Sequence, residues 1–472
     1  MRARKSWIRV GSWGGVACCL FSAVAHAAEA PKPQRLNIIL ISLDTVRPDH
    51  LSCYGYSRQT TPTIDQIAQE GALFTQAFSQ APNTFPSHMS IFTSRYPTDH
   101  WLNWDASDLT PAIAILPEIL KRHGYATAAF TGFSDTLELS RRFITSRAFE
   151  AFDRQLQNIE LKELPRQLVQ WLFEHHDEPF FLFLHGYDAH EPHVLPISYN
   201  ANRFDPTYQG RLSSTTLDLA GASSQSVAEL ERALFEALTV ESYLKQVQQV
   251  MVDGRVPRRD LEHMQAVYDA QIFSLDRGLE QLINVLANLQ LMDRTVLVIL
   301  SDHGQEFGEH GHYATHDQCC YDELTRIVLI VRDPRMSRRG IRVHRIVQGV
   351  DVMPTILDLL DLPIPSTAVG RSLVPLLRSG DTATREEEVA VSAWPGMRAI
   401  RTKTWKLIDV TGGAKILYHL TKDPHEQHNV IDRYPEIVAR LQAQLDARMP
   451  ARETAPTPVE NPVRQMQGHG YW

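Results

Sequence analysis

Three short apolar stretches constrain this chain more than any other feature: Asn37 to Leu43, Phe180 to Leu184 and Val296 to Leu300. Each is strand length, rich in Ile, Leu, Val and Phe, and free of the alternation a half-solvated strand shows. A strand of that kind is buried on both faces, as in a parallel sheet covered by helices. The runs stop at Asp44, at His185 and at Asp302-His303. The carboxyl ends of such strands are where open α/β sheets hold their ligands.

Amphipathic helical patterns separate the runs, over Thr63–Glu70, Ala112–His123, Leu164–His175 and Leu261–Ala287. Shorter strand patterns lie at Ala126–Thr131 and Ile327–Val331. The expected fold is therefore α/β: a large doubly wound, mostly parallel sheet over residues 28–370. Residues 197–259 turn polar and helix-prone with no buried strand pattern. They read as an insertion near the mouth of the sheet or as a surface elaboration. From about Arg371 to 450 the pattern becomes a small antiparallel sheet, at Val389–Ala393, Ala399–Thr402, Trp405–Val410 and Ile416–Leu420. The helix Tyr434–Met449 follows, making a second α+β subdomain. The proline-bearing residues 451–472 read as a tail.

Residues 1–27 read as an export signal: Arg2, Arg4, Lys5 and Arg9, then an apolar run through Val24, then Ala25-His26-Ala27 as the cleavage site. The apolar run is shorter than the roughly 20 residues of a spanning helix, so no stable membrane insertion is expected after cleavage. The expected location is periplasmic or secreted. Without the signal the balance moves from 47 basic against 55 acidic residues to 43 against 55, a net of −12. That charge opposes nucleic-acid binding. Cys53, Cys319 and Cys320 remain, an odd number that leaves at least one thiol unpaired. Nothing in the sequence bears on oligomeric state.

The strand-end residues Asp44, Asp302 and His303 supply two carboxylates and an imidazole, a metal-binding set rather than a bare acid–base pair. Thr84 lies in Asn83-Thr84-Phe85-Pro86-Ser87-His88, just before the helical run Met89–Ser94. A hydroxyl there sits near the unpaired N–H groups of a helix start, which suits an anionic ester. Metal contact would make it a nucleophile. The plainer reading is that Thr84 or Ser87 caps the helix. After the second run, Asp188 and His190 could hold a second metal, or His190 could protonate a leaving oxygen. Among the histidines following His303, His316 is the site candidate, and His310 and His312 read as structural.

The runs NIILISLDTVRPDHLSCYGY, TFPSHMSIFTSRYP, DAHEP, SDHGQEFGEHG and LYHLTKDPHEQHNV occur in that order. Together they resemble the sulfatase family of the alkaline-phosphatase superfamily over nearly all of the chain after residue 27, most weakly over 197–259. The resemblance implies hydrolysis of small-molecule or glycan sulfate esters, or of related phosphate or phosphonate esters, through a covalent intermediate. It implies Asp44, Thr84, Asp302 and His303 as metal ligands and Thr84 at the nucleophile position. His190 and His316 would contact the ester or its leaving group, with His88 and Asp188 as further substrate contacts.

Three departures qualify the resemblance. Sulfatases carry Cys or Ser, oxidised to formylglycine, at the first position of C/S-x-P-S-R; here that position is Thr84 and the Arg position is His88. Threonine bears a methyl group on its β-carbon and cannot give that aldehyde, so no formylglycine is expected. The paired aspartates of the first strand become Asp44-Thr45, and the family's lysine after the second metal motif has no counterpart except His316. An unmodified threonine resembles the phosphodiesterase relatives, and a histidine ligand suits zinc or manganese better than calcium. One divalent ion is implied, with a second open. Three routes fit: direct attack by Thr84, attack by water with Thr84 positioning the substrate, or a catalytically silent protein binding sulfated or phosphorylated glycans.

Overall fold

A computed structural model describes residues 35–100, 113–131, 164–190, 247–316, 319–382, 388–410 and 415–450. Residues 149, 151–153, 161, 203–210 and 212 are described as short pieces between these. The signal expected over 1–27, the tail from 451 and most of 197–259 lie outside the described residues.

The main sheet contains β1 (Asn37–Leu43), β2 (Ala72–Phe78), β3 (Ala126–Thr131), β4 (Ala151–Asp153), β5 (Phe180–Gly186) and β6 (Thr295–Ser301). After a two-stranded ribbon of β7 (Glu306–Phe307) and β8 (Tyr313–Thr315) come β9 (Arg326–Ile327), β10 (Leu329–Arg332) and β11 (Ile341–Gln348). Its order is β11-β2-β10-β6-β1-β5-β3-β4, with β9 on β2. The centre is parallel, β6 and β5 flanking β1, and only β9 and β10 run antiparallel to their neighbours. The single strand expected over Ile327–Val331 is broken at Val328, whose N–H is drawn to Ser301 Oγ at 2.9 Å.

Because side chains alternate across a strand, the continuous apolar runs feed two separate cores. Ile38, Leu40, Phe181, Phe183, Val298 and Leu300 pack on one face with the helices α2 (Thr84–Thr93), α3 (Leu116–Arg122) and α6 (Val352–Leu359). Ile39, Ile41, Leu182, Leu184, Leu297 and Ile299 pack on the other with α1 (Pro62–Glu70), α4 (Arg166–Glu174) and α5 (Arg258–Asn288). Continuing each series on the first face by steps of two gives Ser42 on β1 and Asp44 just after it, His185 on β5 and Asp302 after β6. The polar ends of three strands thus meet under α2.

The C-terminal sheet is β12 (Ala390–Trp394), β13 (Met397–Arg401), β14 (Trp405–Val410) and β15 (Ile416–His419), antiparallel in that order, followed by α7 (Pro435–Arg448). Its first strand braces the segment leading into α2. Ala393 N–H donates to Gln80 O at 2.8 Å, and Ser392 Oγ donates to Ser79 O at 2.6 Å. Lys406 on β14 is buried, with Nζ 2.8 Å from both Asp322 Oδ1 and Glu426 Oε1. Glu426 in turn accepts the Asp322 N–H at 2.6 Å. Of 197–259, the described Tyr208, Leu212, Val247, Val250 and Val256 form a small apolar cluster with Met264 of α5. Cys53, Cys319 and Cys320 are all buried free thiols.

A Lys406→Met variant keeps the apolar stem but leaves the Asp322 and Glu426 carboxylates poorly compensated. Breaking a buried ion pair from one side costs about 3–5 kcal/mol. We expect a loss of that size in urea unfolding of the full chain, and no change would remove this network from the stabilising contacts.

Candidate active site

The loop after β1 carries Asp44 and turns sharply at Thr45, whose φ of 57° is left-handed. A non-glycine residue holds that conformation only when its surroundings compensate. Here the Thr45 carbonyl accepts the Tyr268 hydroxyl of α5 at 2.7 Å, and its N–H donates to Asp302 Oδ1 at 3.3 Å. The Thr45 hydroxyl turns back to the Asp44 carbonyl at 2.7 Å. Where the family pattern has a second aspartate, this chain therefore supplies a backbone N–H.

Each of the two central carboxylates has one oxygen fixed by protein donors and one left over. Asp302 Oδ1 accepts the Thr45 and His303 N–H groups, the latter at 2.9 Å, while Asp302 Oδ2 is buried without a hydrogen-bond partner. Asp44 Oδ2 lies 2.9 Å from His185 Nε2 and 3.4 Å from Thr84 Oγ1, while Asp44 Oδ1 is buried and unpartnered. His303 Nδ1 donates to the Gly304 carbonyl at 3.0 Å, which leaves the Nε2 lone pair facing Thr84 Oγ1 at 3.2 Å. One donor atom each from Asp44, Asp302 and His303 lies within 4.8 Å of the others. Buried carboxylate oxygens without donors are costly, and two of them beside an imidazole lone pair fit a divalent cation.

The charges follow from this crowding. Burial first, and then the Asp302 charge, push Asp44 up to about 7. Burial would raise Asp302 too, but the imidazoles of His303, His88 and His185 bring it down to about 2. Two carboxylates sharing a small buried volume oppose each other's ionisation, so their titration belongs to the pair.

Thr84 is the first residue of α2 rather than a residue ahead of it, and the helix begins five residues before the expected Met89. Pro86 is tolerated in that first turn because its missing N–H has no helical partner there. Neither Thr84 nor Ser87 is the cap. Asn83 Oδ1 accepts the Phe85 N–H at 3.2 Å, and Ser87 Oγ donates to the Asp302 carbonyl at 2.8 Å.

His190 and His316 are brought together from far apart in the chain, Nε2 to Nε2 at 3.1 Å. The His316 ring centre lies 4.6 Å from that of His303, and Tyr187 stacks on His190 at 4.1 Å. Two other expected contacts point elsewhere. His88, on α2, is buried, with Nδ1 donating to the Thr84 carbonyl at 2.7 Å and Nε2 accepting from Ser42 Oγ at 2.8 Å. Burial lowers its pKa to about 4, so it is neutral. Asp188 Oδ2 accepts the Leu161 N–H at 2.8 Å. The residue the sequence reading passed over is His185, seen only as a strand end. Its signal was a polar residue breaking an all-apolar strand, and Ser42 in β1 carries the same one.

Gly304 follows His303 where a Cβ would lie 1.9 Å from the Glu323 carbonyl oxygen, so only glycine fits. Beyond it, His310 Nδ1 contacts Glu323 Oε1 and His310 Nε2 donates to the Glu426 carbonyl at 3.1 Å. Arg47 is spent on Asp49, Glu309 and the Gln305 carbonyl.

The fold, a mostly parallel sheet with a small antiparallel C-terminal sheet, is that of the alkaline-phosphatase superfamily. Within it, the chain belongs to the sulfatase family. The family model described as Sulfatase matches residues 36–362, and that of the N-sulphoglucosamine sulphohydrolase C-terminal region matches residues 308–452. The chain is 25% identical to arylsulfatase K of Homo sapiens over 89% of its length and 82% of the relative's. In fold it resembles a protein solved in complex with its substrate D-glucosamine-2-N,6-O-disulfate. The TM-score is 0.68 and the identity 20%, covering 90% of this chain and 100% of that one. It also resembles the phosphonate monoester hydrolase of Agrobacterium radiobacter, with a TM-score of 0.65 and 22% identity over 87% and 96% of the two chains.

Glu306, on β7, is buried, and burial followed by the Glu323 charge pushes it up to about 8. An acid whose folded pKa is raised stabilises below its unfolded value and loses that contribution as pH rises through the folded one. The melting temperature should therefore fall as pH rises from about 5 to about 8, between the unfolded and folded values, and Glu306→Gln should flatten that fall. An unchanged pH profile in the variant would contradict the assignment.

Proposed function

We propose that this protein hydrolyses sulfate esters, or the related phosphonate and phosphate diesters, with unmodified Thr84 as the nucleophile. The observation that carries the reading is the position of Thr84 Oγ1, 3.4 Å from Asp44 Oδ2 and 3.2 Å from His303 Nε2, at the first turn of α2. Asp44, Asp302 and His303, with Thr84, would hold the divalent cation. The imidazole favours zinc or manganese, with calcium the alternative. Such an ion supplies positive charge that lowers the pKa of the hydroxyl and offsets the charge of the ester.

The remaining work falls to the chain's own groups. Thr84 Oγ1 bonds to the sulfur or phosphorus as its proton passes to Asp44 Oδ2, the acceptor it already faces. The bond to the ester oxygen breaks, and that oxygen takes a proton from the His190–His316 pair. Water then gives a proton back to the pair and attacks the same centre. Thr84 Oγ1 leaves and recovers its proton from Asp44. The N–H groups of the first turn of α2 face the anionic oxygens.

Charge decides the substrate class. Two carboxylates balance one dication, and His88 is neutral where the family has arginine. That site suits an ester with a single negative charge, a sulfate monoester or a phosphonate monoester, over a dianionic phosphate monoester. The sulfatase family membership favours sulfate, and relatives such as the N-acetylglucosamine-6-O-sulfatase of Bacteroides thetaiotaomicron favour a glycan carrier. The phosphonate reading rests on the unmodified threonine and the likeness to the phosphonate monoester hydrolase. We further propose an exported protein, from the signal pattern of residues 1–27.

Thr84→Ala should lower kcat/KM at least about a thousandfold with little change in melting temperature, and Thr84→Ser should keep measurable turnover. Near wild-type turnover in Thr84→Ala rules out direct attack and leaves the water route. Aryl sulfate and phenylphosphonate ester should be cleaved about tenfold or more faster than aryl phosphate, and intact-mass analysis of active protein should find Thr84 unmodified. A metal-loaded protein with no turnover on any of these esters, yet with measurable affinity for sulfated glycan, would make it a binding protein instead.

A further inference from the structure

We propose that His185 is a positioning residue for the centre: its imidazole clamps one oxygen of Asp44 so that the other is presented to a bound cation. The inference rests on the reading of Asp44 as a cation ligand.

β5 lies beside β1 with Ser42 opposite His185, so the two side chains project to the same face, the one covered by α2. His185 Nε2 stands 2.9 Å from Asp44 Oδ2, the oxygen turned away from the unpartnered Oδ1. Asp44 as a cation ligand is ionised and its oxygen can only accept, so Nε2 carries the proton and His185 donates. The ring has little room to swing: its centre lies 4.9 Å from that of His88 in an edge-on arrangement, and Phe183 stacks 6.3 Å away. It is buried, as is Asp44. A hydrogen bond between two immobile buried groups sets the carboxylate's rotation, which in turn sets where Oδ1 points.

The alternative is that His185 is itself a ligand. One donor atom each from His88, His185 and Asp302 also lies within 4.8 Å of the others. That group is poorly suited to an ion, because both His88 nitrogens are committed, to the Thr84 carbonyl and to Ser42 Oγ. His185 Nε2, moreover, faces Asp44 rather than the unpartnered Asp302 oxygen. Donors behind metal ligands orient them in this way, and their loss typically weakens metal binding about 10–100-fold.

The test uses the full chain, stripped with chelator, titrated with Mn2+ or Zn2+ by calorimetry, and refilled with Co2+ for absorption spectra. His185→Phe keeps the ring volume and removes the donor, so it should weaken binding about 10–100-fold. His185→Gln returns an N–H at the reach of Nε2 and should bind within about threefold of wild type, with the same stoichiometry and the same Co2+ spectrum. Metal-free melting temperatures should stay close across the set. Equal, large losses in both variants, together with a lowered metal-free melting temperature, would reduce His185 to packing and overturn the proposal. An altered Co2+ spectrum or stoichiometry in His185→Gln would make it a ligand and overturn it too. Asp44→Ala separates the two levels. Wild-type affinity there sinks the centre and the clamp together, whereas wild-type affinity in His185→Phe with a defective Asp44→Ala sinks the clamp alone.

Discussion

Two carboxylates buried side by side, Asp44 and Asp302, govern the architecture around them. Neither has an arginine or lysine partner among the described residues. Each is instead surrounded by imidazoles, backbone N–H groups and hydroxyls that satisfy one oxygen and stop short of the other. Charge buried in this manner is unfavourable by several kcal/mol unless it is neutralised. A fold that keeps it must hold the groups rigidly and leave a place for a cation, and that demand explains the strained Thr45 and the obligate Gly304.

Rigidity comes from the sheet. The three strands that carry the centre are the innermost of the array, sealed on one face by α2 and α6 and on the other by α1 and α5. Parallel pairing in register aligns their carboxyl ends, so residues separated by more than 250 positions, such as Asp44 and Asp302, become neighbours. α2 then lowers Thr84 onto that ledge, anchored by Ser87 to the Asp302 carbonyl and by His88 to Ser42. The C-terminal sheet acts at a distance. Its first strand holds Ser79 and Gln80, which set where the helix begins.

Histidine runs through the whole site. His88 stands at the arginine position, His303 and His316 lie ring to ring, and His185 adds a further imidazole. A neutral His88 packs closely without the desolvation penalty of a permanent charge.

Much of this was legible in the residues. The all-apolar runs announced a sheet buried on both faces, and the polar residues ending them marked the ligand edge. β2 and β11 went unread because their exposure is mixed and their patterns lack the continuous apolar signature. Local sequence determined which side chains could do chemistry, since Asp44, Thr84, Asp302 and His303 are the right types at strand and helix ends. Only the packed chain decided which oxygen of each carboxylate stays unpartnered, that His88 faces away while His190 meets His316, and that His185 reaches Asp44. Those outcomes depend on rotations fixed by neighbours distant in sequence, and no spacing along one strand encodes them.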